Sequence, residues 1–104
     1  HGAEVDRKNS DGGTALMDAA YEGHERVVDT LIRHGAEINL QDSRGATALM
    51  HAARCGQERV VDLLLRHGAE INLQRSDGFT ALKHAAQNGH EGVVDLLLRH
   101  GAEI

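Results

Sequence analysis

Residues 47–68 read Thr-Ala-Leu-Met-His-Ala-Ala-Arg-Cys-Gly-Gln-Glu-Arg-Val-Val-Asp-Leu-Leu-Leu-Arg-His-Gly. Thr47 stands where an N-cap belongs, just before the helix-forming run Ala48–Ala53. Leu49, Ala52 and Ala53 share one helical face, and the two alanines let another helix come close. Gly56 closes this first helix. A second helix is predicted from Gln57 to about Arg66, with Val60, Val61, Leu64 and Leu65 at helical spacing and Gly68 as its stop. The sequence predicts an extended stretch for Ala69-Glu70-Ile71-Asn72-Leu73, then a tight turn at Ser76-Asp77-Gly78. Thr80 then begins the pattern again.

The pattern recurs at a fixed interval. Gly-Ala-Glu occupies 2–4, 35–37, 68–70 and 101–103; Thr-Ala-Leu occupies 14–16, 47–49 and 80–82; Val-Val-Asp occupies 27–29, 60–62 and 93–95. Such periodicity marks a stacked array of units, each of which buries its apolar face only against its neighbours. The individual helices are shorter than the ~12–15 residues that hold together alone in water, so stacking is obligatory. Glycine recurs at 2/35/68/101, 12/45/78 and 23/56/89, which ties it to backbone geometry and not to a ligand.

The 104 residues make one domain. Its organisation reads as the end of a preceding unit at 1–8, a first unit at 9–41, a second at 42–74 and an incomplete third at 75–104. The chain begins and stops at the same point of the pattern, as expected of a piece of a longer array or of an engineered one. A formal charge of −5 argues against nucleic acid, which needs a basic face. No apolar run approaches the ~20 residues of a membrane span, so no membrane contact is expected. Cys55 is the single cysteine; a reducing compartment, cytoplasm or nucleus, is the expected location.

A turn–helix–helix unit carrying Thr-Ala-Leu, an Ala-Ala pair, Gly-His-Glu, Val-Val-Asp-Leu-Leu-Leu and Gly-Ala-Glu-Ile-Asn resembles the ankyrin repeat over nearly the whole chain. The resemblance implies an all-α solenoid of helix–turn–helix units joined by β-turn or hairpin-like loops. The sequence departs from the family's Thr-Pro-Leu-His, having Thr14-Ala15-Leu16-Met17, Thr47-Ala48-Leu49-Met50 and Thr80-Ala81-Leu82-Lys83. Proline is favourable at a first helical position but not required. The missing histidine removes a hydrogen bond to the threonine hydroxyl, which predicts some loss of rigidity without a change of fold.

Comparing the units with one another separates framework from variation. Residues 35–67 and 68–100 agree at 25 of 33 positions; they differ at Asp42/Arg75, Arg44/Asp77, Ala46/Phe79, Met50/Lys83, Arg54/Gln87, Cys55/Asn88, Gln57/His90 and Arg59/Gly92. The first six pairs fall on the turn or the first helix. In the ankyrin family the turn tips and first helices line a concave groove that contacts other proteins. Carried over by position, the first unit would contribute Asp11, Gly13, Asp18, Tyr21 and Glu22. The second would contribute Arg44, Ala46, His51, Arg54 and Cys55, and the third Asp77, Phe79, His84, Gln87 and Asn88. Tyr21 and Phe79 are the only aromatic residues, and with Arg44 and Arg54 they are the natural anchors.

Other chemistry finds little support. Of the eight histidines, His34, His67 and His100 fall in last helical turns, where they suit the helix dipole, and His24 and His90 begin second helices. His51 and His84 form the only stacked pair on the candidate face, and no third metal ligand accompanies them. No metal or cofactor is therefore expected. Gly12-Gly13 lacks the following Gly-Lys-Ser/Thr of a phosphate loop, and no Ser–His–Asp grouping stands out. Cys55 reads as an exposed thiol beside Arg54, without the features of a nucleophile. Asp11, Arg44 and Asp77 share one position, and Asp42 and Arg75 another, so an alternating ladder of ion pairs between turns is predicted. Family resemblance also makes Asn39 and Asn72, after Glu-Ile, candidate substrates of an asparaginyl hydroxylase.

The expected function is that of a protein-binding scaffold without catalytic activity. The alternatives are a structural spacer or an engineered scaffold with no natural ligand, and self-association end to end through Leu97, Val94 and Leu16.

Overall fold

The computed structural model describes residues 5–104, so the first Gly-Ala-Glu copy lies outside the described residues, as does the start of the 1–8 segment. Six helices follow in order: α1 (Ala15–Glu22), α2 (Glu25–Arg33), α3 (Ala48–Arg54), α4 (Glu58–Arg66), α5 (Ala81–Gln87) and α6 (Glu91–Arg99). No strand occurs among the described residues. Within each unit the two helices pack together (α1 on α2, α3 on α4, α5 on α6). Between units α1, α3 and α5 stack as one layer and α2, α4 and α6 as another. The array measures 36 × 27 × 20 Å.

The local signals act as predicted. Thr14, Thr47 and Thr80 are extended N-caps whose hydroxyls accept from the backbone N–H of Met17, Met50 and Lys83 at 3.3, 3.3 and 3.2 Å. Met17 and Met50, which stand where the family has histidine, are buried in the core. The nine repeat glycines among the described residues all have positive φ. Gly56, at +73°, turns the chain from α3 into α4 with a backbone geometry that a Cβ would strain.

The core is continuous across units. Leu16, Leu49, Val60, Val61, Leu64, Val93 and Leu97 are buried, together with the alanine pairs that admit the neighbouring helix. Burial corrects the expected ends of the stack. Leu16 and Leu97 lie inside the chain's own core, and Val94 is partly covered, so none forms an open end face. The exposed large apolar residues among the described ones are instead Val27 on α2, 48% exposed, Leu98 on α6, 40% exposed, Ile104 and Tyr21; Val60 and Val93, which match Val27, are buried.

The link between units also differs from the extended stretch predicted. Ile38-Asn39 and Ile71-Asn72 form turns. These turns aim a side-chain oxygen at the backbone one unit onward. Asn39 Oδ1 accepts from Glu70 N at 2.8 Å, Asn72 Oδ1 from Glu103 N at 3.0 Å, and Asp6 Oδ1 from Glu37 N at 3.0 Å. The turn tips are tied in the same way, with Ser43 N donating to Asp11 O and Ser76 N to Arg44 O, both at 2.9 Å.

Candidate functional site

Each turn tip is shaped by a short polar side chain at its start. Asn9 Oδ1 accepts from the amides of Asp11 and Gly13, and Asp42 Oδ1 from those of Arg44 and Ala46, all at 2.9 Å. The third unit has Arg75 at this position, and Asp77 takes over, accepting from Phe79 N at 3.2 Å. These bonds hold the tips beside the first helices. As a result Asp11, Gly13, Asp18, Tyr21, Glu22, His51 and Arg54 line one cavity of ≈ 410 Å³, together with Asn9, Met17 and Asp42. Arg44 and Ala46 line an adjoining cavity of ≈ 220 Å³ that shares Asp11, Asp42, His51 and Arg54 and adds Ser43 and Arg75. Cys55, Asp77, Phe79, His84, Gln87 and Asn88 line neither.

Two of the predicted face residues have little surface to offer. Ala46 is 4% exposed and His84 is 5% exposed. The His84 ring packs against Phe79, with centroids 5.0 Å apart, and Phe79 itself sits beneath Arg75 and Lys83 at 5.3 and 5.1 Å. Phe79 is accordingly only half open. Tyr21, 46% exposed, is the open aromatic, its ring edge-on to His51 at 6.4 Å. Asp42 and Arg75 shape the face, yet sequence comparison left them off it. Their signal was present, since both are variable turn positions.

The predicted ladder of ion pairs between turns does not form among the described residues. Arg75 instead turns onto Asp77 of its own tip, with Nε 3.1 Å from Oδ1. Asp42 meets His51 Nε2 at 3.1 Å. Arg44 pairs with neither Asp11 nor Asp77. Position equivalence brings the backbones together, but long side chains at a wet surface settle on the nearest partner, and such pairs contribute only about 0–1 kcal/mol.

The electrostatics follow from these contacts. Burial acts to raise the Asp42 carboxyl, but the amides of Ala46 and Arg44 and the His51 ring outweigh it and hold the group below its usual range. Hydrogen bonding from Arg75 brings Asp77 down to about 2. Cys55 is half-buried, not the exposed thiol predicted; burial pushes its pKa up, against the weaker pull of Arg54 and a hydrogen bond with Tyr21. Burial lowers the His84 pKa, and Arg75, Arg54 and His51 push the same way against Asp77.

The neutral His84 ring therefore belongs to the folded state. Stability that it supports is complete above its ordinary value of 6.5 and is lost as the pH falls through and below that value. The thermal midpoint should drop between pH 7.5 and 5.5, and His84→Phe, which keeps a ring against Phe79, should flatten that drop. An unchanged pH slope in the variant would remove His84 as the cause.

Among the described residues no three His, Cys, Asp or Glu side chains converge as a metal site, and no helix is long and apolar enough to cross a membrane. What the face offers is shallow polar relief of opposite charges and one open aromatic ring, suited to contact with another macromolecule. No individual curated protein matches the chain. The sequence does match the family described as Ankyrin repeats (3 copies), over residues 1–75 and again over 34–104. These repeats are generally protein–protein interaction modules on a non-enzymatic fold, and the chain belongs to the ankyrin-repeat family.

Proposed function

We propose that the chain is a protein-binding scaffold whose contact surface is the concave face of turn tips and first helices. It has no catalytic activity of its own and works in the cytoplasm or nucleus. One observation supports the reading: six of the eight positions that differ between the last two units fall on the turn or first helix, and nine of the fifteen candidates line two adjoining cavities. A stacked framework presents them pre-ordered, which keeps the entropic cost of binding low.

The test is affinity capture from a lysate, with the parent chain beside a Tyr21→Ala, Arg54→Ala, Phe79→Ala variant whose helicity is checked by circular dichroism. The parent should retain a partner that the folded variant releases. Equal capture by both, or by neither, would favour a spacer.

Asn39 and Asn72 are included in the proposal as hydroxylation substrates. Their amide oxygens already hold the next unit's backbone, so an enzyme must open that bond to reach the Cβ. Treatment with an asparaginyl hydroxylase, dioxygen and 2-oxoglutarate should add about 16 Da at either residue: one atom of dioxygen enters the C–H bond as hydroxyl, and the other goes into succinate as 2-oxoglutarate loses carbon dioxide. Unshifted peptides carrying both residues would dismiss it.

A further inference from the structure

The face is electrically divided along the stacking direction. The first unit places Asp11, Asp18 and Glu22 on it, all exposed and none in an ion pair among the described residues. The second unit places Arg44 and Arg54 there, equally exposed and equally unpaired. Asp42 is held by the amides of Arg44 and Ala46 and meets the His51 ring, Arg75 pairs with Asp77, and Lys83 lies over Phe79 in the third unit. The acidic and basic groups meet in the two adjoining cavities, and the open Tyr21 ring lines the first of them beside Asp18, Glu22 and Arg54. The Ser43–Asp11 backbone bond fixes the two tips side by side, so the division is built into the framework.

We propose that this face takes a segment of a partner protein carrying a basic residue over the first unit and an acidic residue over the second. The inference rests on the concave-face reading above. Packed helices lie about 8–10 Å apart, and an extended chain advances about 3.3 Å per residue, so the two charged residues stand about three positions apart. Tyr21 receives the apolar stem of the basic residue while its charge reaches Asp18 and Glu22. The acidic residue bridges Arg44 and Arg54. Opposed charges at two points fix the placement of the segment on the array, because sliding it by one unit sets like charges against each other.

The test is selection of binders from a displayed library of random 12-residue peptides on the parent chain. Binding is then measured to three variants that circular dichroism shows to be folded. One reverses the charge of the acidic pair on the first helix (Asp18→Lys with Glu22→Lys), one reverses the two arginines (Arg44→Glu with Arg54→Glu), and one is Tyr21→Ala. The selected peptides should carry Lys or Arg about two to three residues from Asp or Glu. They should bind both charge variants at least about tenfold more weakly. Peptides weakened by Tyr21→Ala but by only one charge variant, or by neither, would overturn the two-point inference and leave the concave face standing. Peptides indifferent to all three variants would overturn both. An empty selection would overturn the two-point inference, and lysate capture would then decide the concave face.

Discussion

Replacing Leu64 with alanine should destabilise the chain by about 2–5 kcal/mol, the usual cost of emptying a fully buried leucine site. Leu64 is 0% exposed and lies on α4, the helix that packs against α2 on one side and α6 on the other. In a linear array stability is the sum of each unit and its interfaces. A cavity in the middle unit therefore weakens both interfaces, and a chain with only three units has little to spare. Leu98, two-fifths exposed on α6, provides the control: Leu98→Ala should cost about 1 kcal/mol or less, since little surface leaves water there. Urea titrations of the two variants would check the contrast. Equal midpoints would mean that the stack does not depend on its central seam.

The second large effect concerns two glycines with nearly the same backbone. Gly45 has φ +85° and Gly78 has φ +86°, so alanine at either should incur a similar local strain of about 1–2 kcal/mol. Their surroundings differ. A Cβ on Gly45 would come within 3.1 Å of Arg75 Cα and Ser76 N, whereas one on Gly78 would meet nothing within 4 Å. Gly45→Ala must also push the third tip away and loosen the Ser76–Arg44 bond. It should therefore lower the thermal midpoint clearly more than Gly78→Ala does. The difference isolates the close approach of successive tips, because the backbone strain is common to both. Matching midpoints would show that the tips yield freely.

The parts of the fold that were legible in the sequence are those set within a few residues or by the period itself. Thr47 caps the helix that follows it, Gly56 and Gly68 take the left-handed conformation, and Leu64 is buried because its helical spacing points it at the neighbouring units. The bonds from Asn39 and Asn72 were not legible, because a side chain reaching 31 residues onward looks like any other repeated asparagine. The candidate face was legible as a set of positions but not as a set of exposures. Asp18, His51 and His84 occupy equivalent places, yet they are exposed, half-buried and buried respectively. What decides among them is the side chain next door: Phe79 covers His84, and Asp42 holds His51. The ladder of ion pairs failed for a related reason. Sequence position sets where Arg44 and Arg75 start, but Arg75 settles on the nearest carboxylate, Asp77, and Arg44 pairs with none.

The bonds that reach from one unit to the next also say how such a chain tolerates changes in its own copy number. The bridges from Asp6, Asn39 and Asn72 each join a residue to the one 31 positions later, within a period of 33. Deleting residues 42–74 would bring Glu103 to the place of Glu70 opposite Asn39, and Ser76 to the place of Ser43 opposite Asp11. These two connections would find a partner of the same type, although the Arg59–Glu25 pair would be lost to Gly92. A deletion or duplication of one whole period thus keeps these bridges, whereas a shift of a single residue breaks them across the junction. Gene rearrangement in steps of 99 nucleotides, three for each of about 33 residues, can lengthen or shorten the stack without a new fold having to be found.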